Sequence, residues 1–114
     1  MDKFYMAFED LIKRCRALEI AEERQLSEEY GEFVIYNEHI AEWYKMFDEI
    51  LGKPQKSLGA KPTKADLLLT EKYGGVYENQ VLYKKDFNEG ALLAMFWPWS
   101  NGSLITLKVV FIKK

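Results

Sequence analysis

The sequence predicts an α+β fold, a single domain over residues 1–114. An antiparallel helical pair packs on one face of a three-stranded antiparallel sheet ending in a C-terminal β-hairpin. Three observations carry this prediction. They are a Gly- and Pro-free N-terminal stretch with helical apolar spacing, a second such stripe that stops at Gly52 and Pro54, and two apolar runs flanking Trp97-Pro98-Trp99-Ser100-Asn101-Gly102. A chain of 114 residues can bury roughly 65% of its unfolded surface, enough for a core without metal or disulfide staples.

From Asp2 to about Arg24, the residues Phe4, Phe8, Leu11, Cys15 and Leu18 recur at spacings of three and four, the stripe of an amphipathic helix. Leu26-Ser27-Glu28-Glu29 then reads as a new helix start. Its serine oxygen can accept from exposed backbone N–H groups, and its two carboxylates suit the positive end of a helix dipole. Tyr30, Phe33, Val34, Ile40, Ala41, Tyr44, Phe47 and Leu51 continue as a second stripe. Gly31 near the start and Asn37 on the buried side weaken the helical reading of 28–37 and leave a second parse. In it, helix 1 runs to Tyr30, Gly31 stops it, Glu32 to Tyr36 is a short strand, and Asn37 caps a shorter helix.

Residues 52–64 hold two prolines, two glycines and four lysines with no acid, the composition of a surface loop. Thr63 with Asp66 resembles a capping box for a short helical turn through about Tyr73, stopped by Gly74-Gly75. A strand over Leu67 to Tyr73 is the alternative. Val76 to Phe87 reads as a strand leading through Asn88-Glu89-Gly90 into the hairpin.

Asn101-Gly102 between apolar runs is a strong hairpin signal. A two-residue loop would place Pro98 opposite Ile105 in a hydrogen-bonded pair, where proline has no N–H to give. The loop Ser100-Asn101-Gly102 instead pairs Trp99 with Ser103, turns the proline nitrogen away, and is the preferred register. It sets Leu93, Met95 and Trp97 beside Ile105, Leu107, Val109 and Phe111 on the core face. The opposite face carries Leu92, Ala94, Phe96, Leu104, Val110 and Ile112, interrupted only by Thr106 and Lys108. A one-residue slip would exchange the faces of one strand and still leave both apolar. Two helices cover one face, so Leu92, Phe96, Leu104, Val110 and Ile112 are the expected contact surface, for a homodimer or another protein. A third layer made by residues 52–75 is the alternative, and it predicts a monomer.

Formal charge is −2, but residues 1–51 carry 6 basic against 13 acidic side chains and residues 52–114 carry 10 against 5, or −7 and +5. The asymmetry lets the halves attract one another or marks an anionic partner of the second half. The lone Cys15 makes no internal bridge, no apolar run approaches the ~20 residues of a membrane span, and Met1-Asp2-Lys3-Phe4 is no signal start. These features predict a soluble, cytoplasmic protein with no membrane partner.

His39, the only histidine, has Glu38 beside it and Glu42 near one helical turn on. It lacks the nucleophile or further ligands that catalysis or a metal centre would need. Cys15 falls on an apolar stripe, where a thiol acts as a small hydrophobe. Gly74-Gly75 lacks the context of a phosphate-binding loop. No catalytic residue, metal or cofactor is therefore expected. Asn37, His39, Trp43, Tyr44, Trp97 and Trp99 are the candidates for an aromatic small-ligand pocket between helices and sheet. Lys53, Lys56, Lys61, Lys64, Lys84, Lys85 and Lys108 with Trp97 or Trp99 would suit single-stranded nucleic acid. That reading is weakened by the acidic balance and by arginines (14, 16 and 24) confined to helix 1. The leading expectation is a non-enzymatic binding or assembly domain, with a small-ligand domain second and nucleic-acid binding third.

Overall fold

The computed structural model describes residues 3–113, with side chains from 6 to 113. Asp2, the expected start of helix 1, and the side chain of Phe4 lie outside these described parts. In chain order the elements are α1 (Lys3–Ala17), β1 (Glu22–Leu26), β2 (Tyr30–Tyr36), a 3-10 turn at Asn37–His39, α2 (Ile40–Leu51) and α3 (Lys64–Thr70). A second 3-10 turn (Glu71–Tyr73) extends α3, and β3 (Val81–Phe87), β4 (Gly90–Pro98) and β5 (Leu104–Lys113) follow. The α+β class holds, with five antiparallel strands in the order β1-β2-β5-β4-β3 in place of three, and three helices in place of two.

Residues 22–36 are the main departure from the expected fold. Helix α1 stops at Ala17 and not near Arg24. The Tyr-Gly-Glu-Phe-Val-Ile-Tyr run, rich in β-branched and aromatic residues, becomes β2 against β5, and β1 pairs with its other side. This is close to the second parse for Glu32–Tyr36, and it adds a strand at 22–26 that neither parse contained. Ser27, read as a helix cap, closes the β1–β2 turn: its N–H donates to Tyr30 O and its Oγ accepts from Glu29 N. Gly31 serves close packing and is not a helix stop, because a Cβ there would lie 3.0 Å from Ile12 Cδ1 of α1. Asn37 binds the tip of the C-terminal hairpin, donating from Nδ2 to Gly102 O and from its backbone N to Ser103 O.

The hairpin register also differs. Pro98 pairs with Ile105, Trp97 with Thr106 and Phe96 with Leu107. A four-residue loop, 100–103, reconciles this pairing with proline: Trp99 N donates to Leu104 O, so the neighbouring Pro98–Ile105 pair is the non-hydrogen-bonded kind. On its other side Pro98 lies past the last β3–β4 pair, Val81–Phe96, and its missing N–H faces no strand. Consequently the facing of β4 is exchanged. Leu92, Ala94 and Phe96 join Ile105, Leu107, Val109 and Phe111 under α1 and α2, in a core that includes Trp43, Phe47 and Tyr83.

Leu93, Met95 and Val110 face the other way, where Val76 and Leu82 bury with them against Leu69, Tyr73, Trp97 and Ile112. The second apolar face is thus covered by the chain itself, the third-layer alternative. Its cover begins where Lys56 pairs with Leu82 at the free edge of β3. Lys56 is almost fully buried and donates from Nζ to the carbonyls of Ser57, Glu78 and Gln80, at 3.1, 2.9 and 2.5 Å. Three carbonyl acceptors match its three N–H donors, which is how a desolvated ammonium is tolerated and how the cover is pinned to the sheet. Thr63 and Asp66 form the expected capping box at α3, and Gly74 ends the helical run in the left-handed region at φ +100°.

Candidate functional site

With the sheet faces filled, a surface groove of about 540 Å³ lies between α1 and the β1–β2 turn, lined by Phe8, Glu9, Ile12, Lys13, Arg16, Leu26, Ser27 and Glu28. Phe8 and Ile12 form its buried floor, and Leu26 is exposed. Arg16 closes one end, donating to both carboxylate oxygens of Glu23 at 2.8 and 3.0 Å. That pairing raises the guanidinium's pKa and lowers that of the carboxyl, through the side-chain hydrogen bond first. Beside the groove runs β1, the edge strand, whose five residues are all exposed. Sequence reasoning missed this groove because its floor and its wall meet only when 22–26 is a strand.

The expected contact set does not share a surface. Leu92 and Phe96 are buried beneath the helices, Val110 is buried under the cover, and Leu104 and Ile112 are half-buried on that second face. The dimer expectation rested on this face being open, and Leu69, Tyr73 and Val76 pack over it.

Nor does the expected pocket form one cavity. Trp43 is in the core, Trp97 and Trp99 are on the second face, and Asn37 lines a polar notch of about 390 Å³ with Tyr36, Glu38, Gly102 and Ser103. Tyr44 lines a separate cleft of about 180 Å³ with Asp48, Pro54, Ser57, Leu58, Val81 and Tyr83. There the Tyr83 hydroxyl donates to Asp48 Oδ1 at 2.8 Å; burial first, then this carboxylate, pushes the phenol pKa up. A phenol held protonated by a structural acceptor is a poor general base at neutral pH. His39 meets Glu19 at 3.0 Å and Glu38 at 3.5 Å; its partner from afar is Glu19, where sequence spacing had suggested Glu42.

On the second face, Lys108 Nζ lies 3.6 Å from the centroid of the Trp97 ring and donates to Tyr73 O at 2.9 Å. Burial lowers its pKa, and Glu32 opposes that shift. Trp97 Nε1 is buried and has no hydrogen-bond partner among the described residues. Arg24 belongs to β1, not to helix 1, and stands 5.4 Å from the Trp99 centroid while pairing with Glu22 and Glu32. Of the lysines considered for phosphates, Lys56 is therefore buried and Lys108 is held in packing, which leaves the nucleic-acid reading with fewer free cations.

Cys15 is fully buried on α1, and that burial pushes its thiol up to about 12 despite the nearby Arg14. From the ordinary 9.0, such a shift cuts the thiolate fraction about a thousandfold. Native protein is expected to react with a disulfide reagent at least about tenfold more slowly than the unfolded chain, measured by thionitrobenzoate release; comparable rates would mean Cys15 is open to solvent.

No helix among the described residues is long and apolar enough to cross a membrane. No protein-family model, curated protein or solved structure matches the chain.

Proposed function

We propose that the protein is a non-enzymatic contact domain that takes an extended segment of another polypeptide along β1, seating an apolar side chain in the α1–β1 groove. One observation carries this reading: an apolar concavity adjoins the sheet edge that pairs on one side only. An edge strand offers a row of backbone donors and acceptors, and an adjacent pocket selects the side chain. The charges of Glu22, Glu23 and Arg24, and the register break between Glu23 and Gln25, blunt this edge against indiscriminate pairing. Specificity is then assigned to the groove.

Selection from a library of unstructured peptides displayed on phage tests the proposal. Enriched peptides are expected to share an apolar anchor and to slow amide exchange in residues 22–26. Leu26→Lys is expected to weaken them about tenfold or more, since a charge would enter the apolar site. Peptides that bind the variant unchanged, or protect only another element, would overturn the proposal. Light scattering of the unliganded protein identifies one occupant directly: a dimer that Leu26→Lys returns to monomer means that a second copy supplies the segment.

A further inference from the structure

We propose that Glu19, Glu38 and His39 form a binding site for a divalent first-row transition ion of the zinc type. Their ligand atoms lie within 4.8 Å of one another. His39 Nε2 is 3.0 Å from Glu19 Oε2 and 3.5 Å from Glu38 Oε1. Ligands about 2.1 Å from one ion are separated by about 3.0 Å when cis in an octahedron and about 3.4 Å in a tetrahedron, so an imidazole this close to both carboxylates is within reach of one ion, which would replace the His39–Glu19 hydrogen bond. The two carboxylates would turn to close round it. Both are exposed.

The ligands come from two chain segments: Glu19 from the connection between α1 and β1, Glu38 and His39 from the turn that begins α2. Tyr36 stands edge-on to the imidazole, with ring centroids 6.3 Å apart at 88°, which restrains the ring's orientation. One imidazole and two carboxylates favour a borderline cation such as Zn²⁺ over Mg²⁺ or Ca²⁺, which prefer all-oxygen shells. Three protein ligands leave a position for water, and two of them are solvent-exposed, so the affinity falls well below that of closed four-ligand sites. Bound metal would join the α1–β1 connection to the start of α2.

Calorimetric titration of untagged protein with zinc sulfate in a non-coordinating buffer tests the site. The expected result is one ion per chain with a dissociation constant in the micromolar range, weakened at least about tenfold by His39→Ala and by Glu19→Gln. Glutamine keeps the size and a hydrogen-bond acceptor while removing the anionic ligand, so its effect separates metal binding from packing. Zn²⁺ is also expected to raise the melting temperature where equimolar Mg²⁺ does not. Absence of binding up to about 1 mM Zn²⁺, or binding that both variants leave intact, would overturn the proposal.

Discussion

Phe96→Ala is expected to cost about 3–5 kcal/mol, the range for removing a fully buried aromatic ring. Phe96 is 1% exposed, and three other aromatic rings surround it. Tyr44, Phe47 and Tyr83 have centroids 5.1, 5.3 and 5.9 Å away in edge-type geometries. Removing its ring therefore forfeits aromatic contacts as well as apolar burial. Phe96→Lys is harsher, since an unpaired ammonium in this core costs several kcal/mol against a total stability of about 5–15 kcal/mol. It is expected to give no cooperative unfolding transition, and it cannot serve as a surface probe of association. Urea denaturation followed by circular dichroism decides the matter. A lysine variant that melts cooperatively near wild type would show that β4 turns this side chain away from the helices, to the face the sequence predicts as a contact surface.

Gly74→Ala is expected to cost about 2–5 kcal/mol, combining left-handed strain of about 1–2 kcal/mol with an overpacking penalty of about 1–3 kcal/mol. At φ +100° a Cβ would overlap Cη2 of Trp97 and lie 2.9 Å from its Cζ2. The indole has little room to yield, with Lys108 against its ring. Gly75 is the internal control: its φ is +80° but nothing lies within 4 Å of a Cβ there. Gly75→Ala should therefore show the strain alone, about 1–2 kcal/mol. A double-mutant cycle with Trp97→Leu isolates the steric part, because the smaller side chain relieves the clash and leaves the backbone strain. Equal costs for the two alanine variants, with no rescue, would mean that the cover does not rest on Trp97.

Elements governed by short-range chemistry were legible in the sequence. Thr63 and Asp66 announced the α3 cap, Gly74-Gly75 its end, Asn101-Gly102 the hairpin, and the spacing of Phe8, Leu11 and Cys15 the buried side of α1. Leu107 and Val109 were assigned to the core, and both are fully buried. The groove and the Glu19–Glu38–His39 cluster were not legible. Each brings together residues from separate elements, and no local pattern links Phe8 to Leu26 or Glu19 to His39.

The sequence by itself determined that this chain builds an α+β domain around a hairpin apolar on both faces, because side-chain alternation and turn chemistry act over a few residues. Only the tertiary structure decided what those faces touch. Residues 22–36 favour neither state decisively: β2 forms on β5, and the Glu-Glu-Arg-Gln-Leu segment, which in isolation would suit a helix, becomes β1 by pairing with β2. The four-residue loop, which lets Pro98 sit opposite Ile105 without losing a ladder bond, selects which side of β4 enters the main core. Burying the second face then depends on a segment more than thirty residues away in sequence from the middle of β5, pinned by three carbonyls around Lys56 and by Gly74 against Trp97. Such long-range closure is set by the joint packing of the whole chain, and a local reading of residue pattern does not contain it.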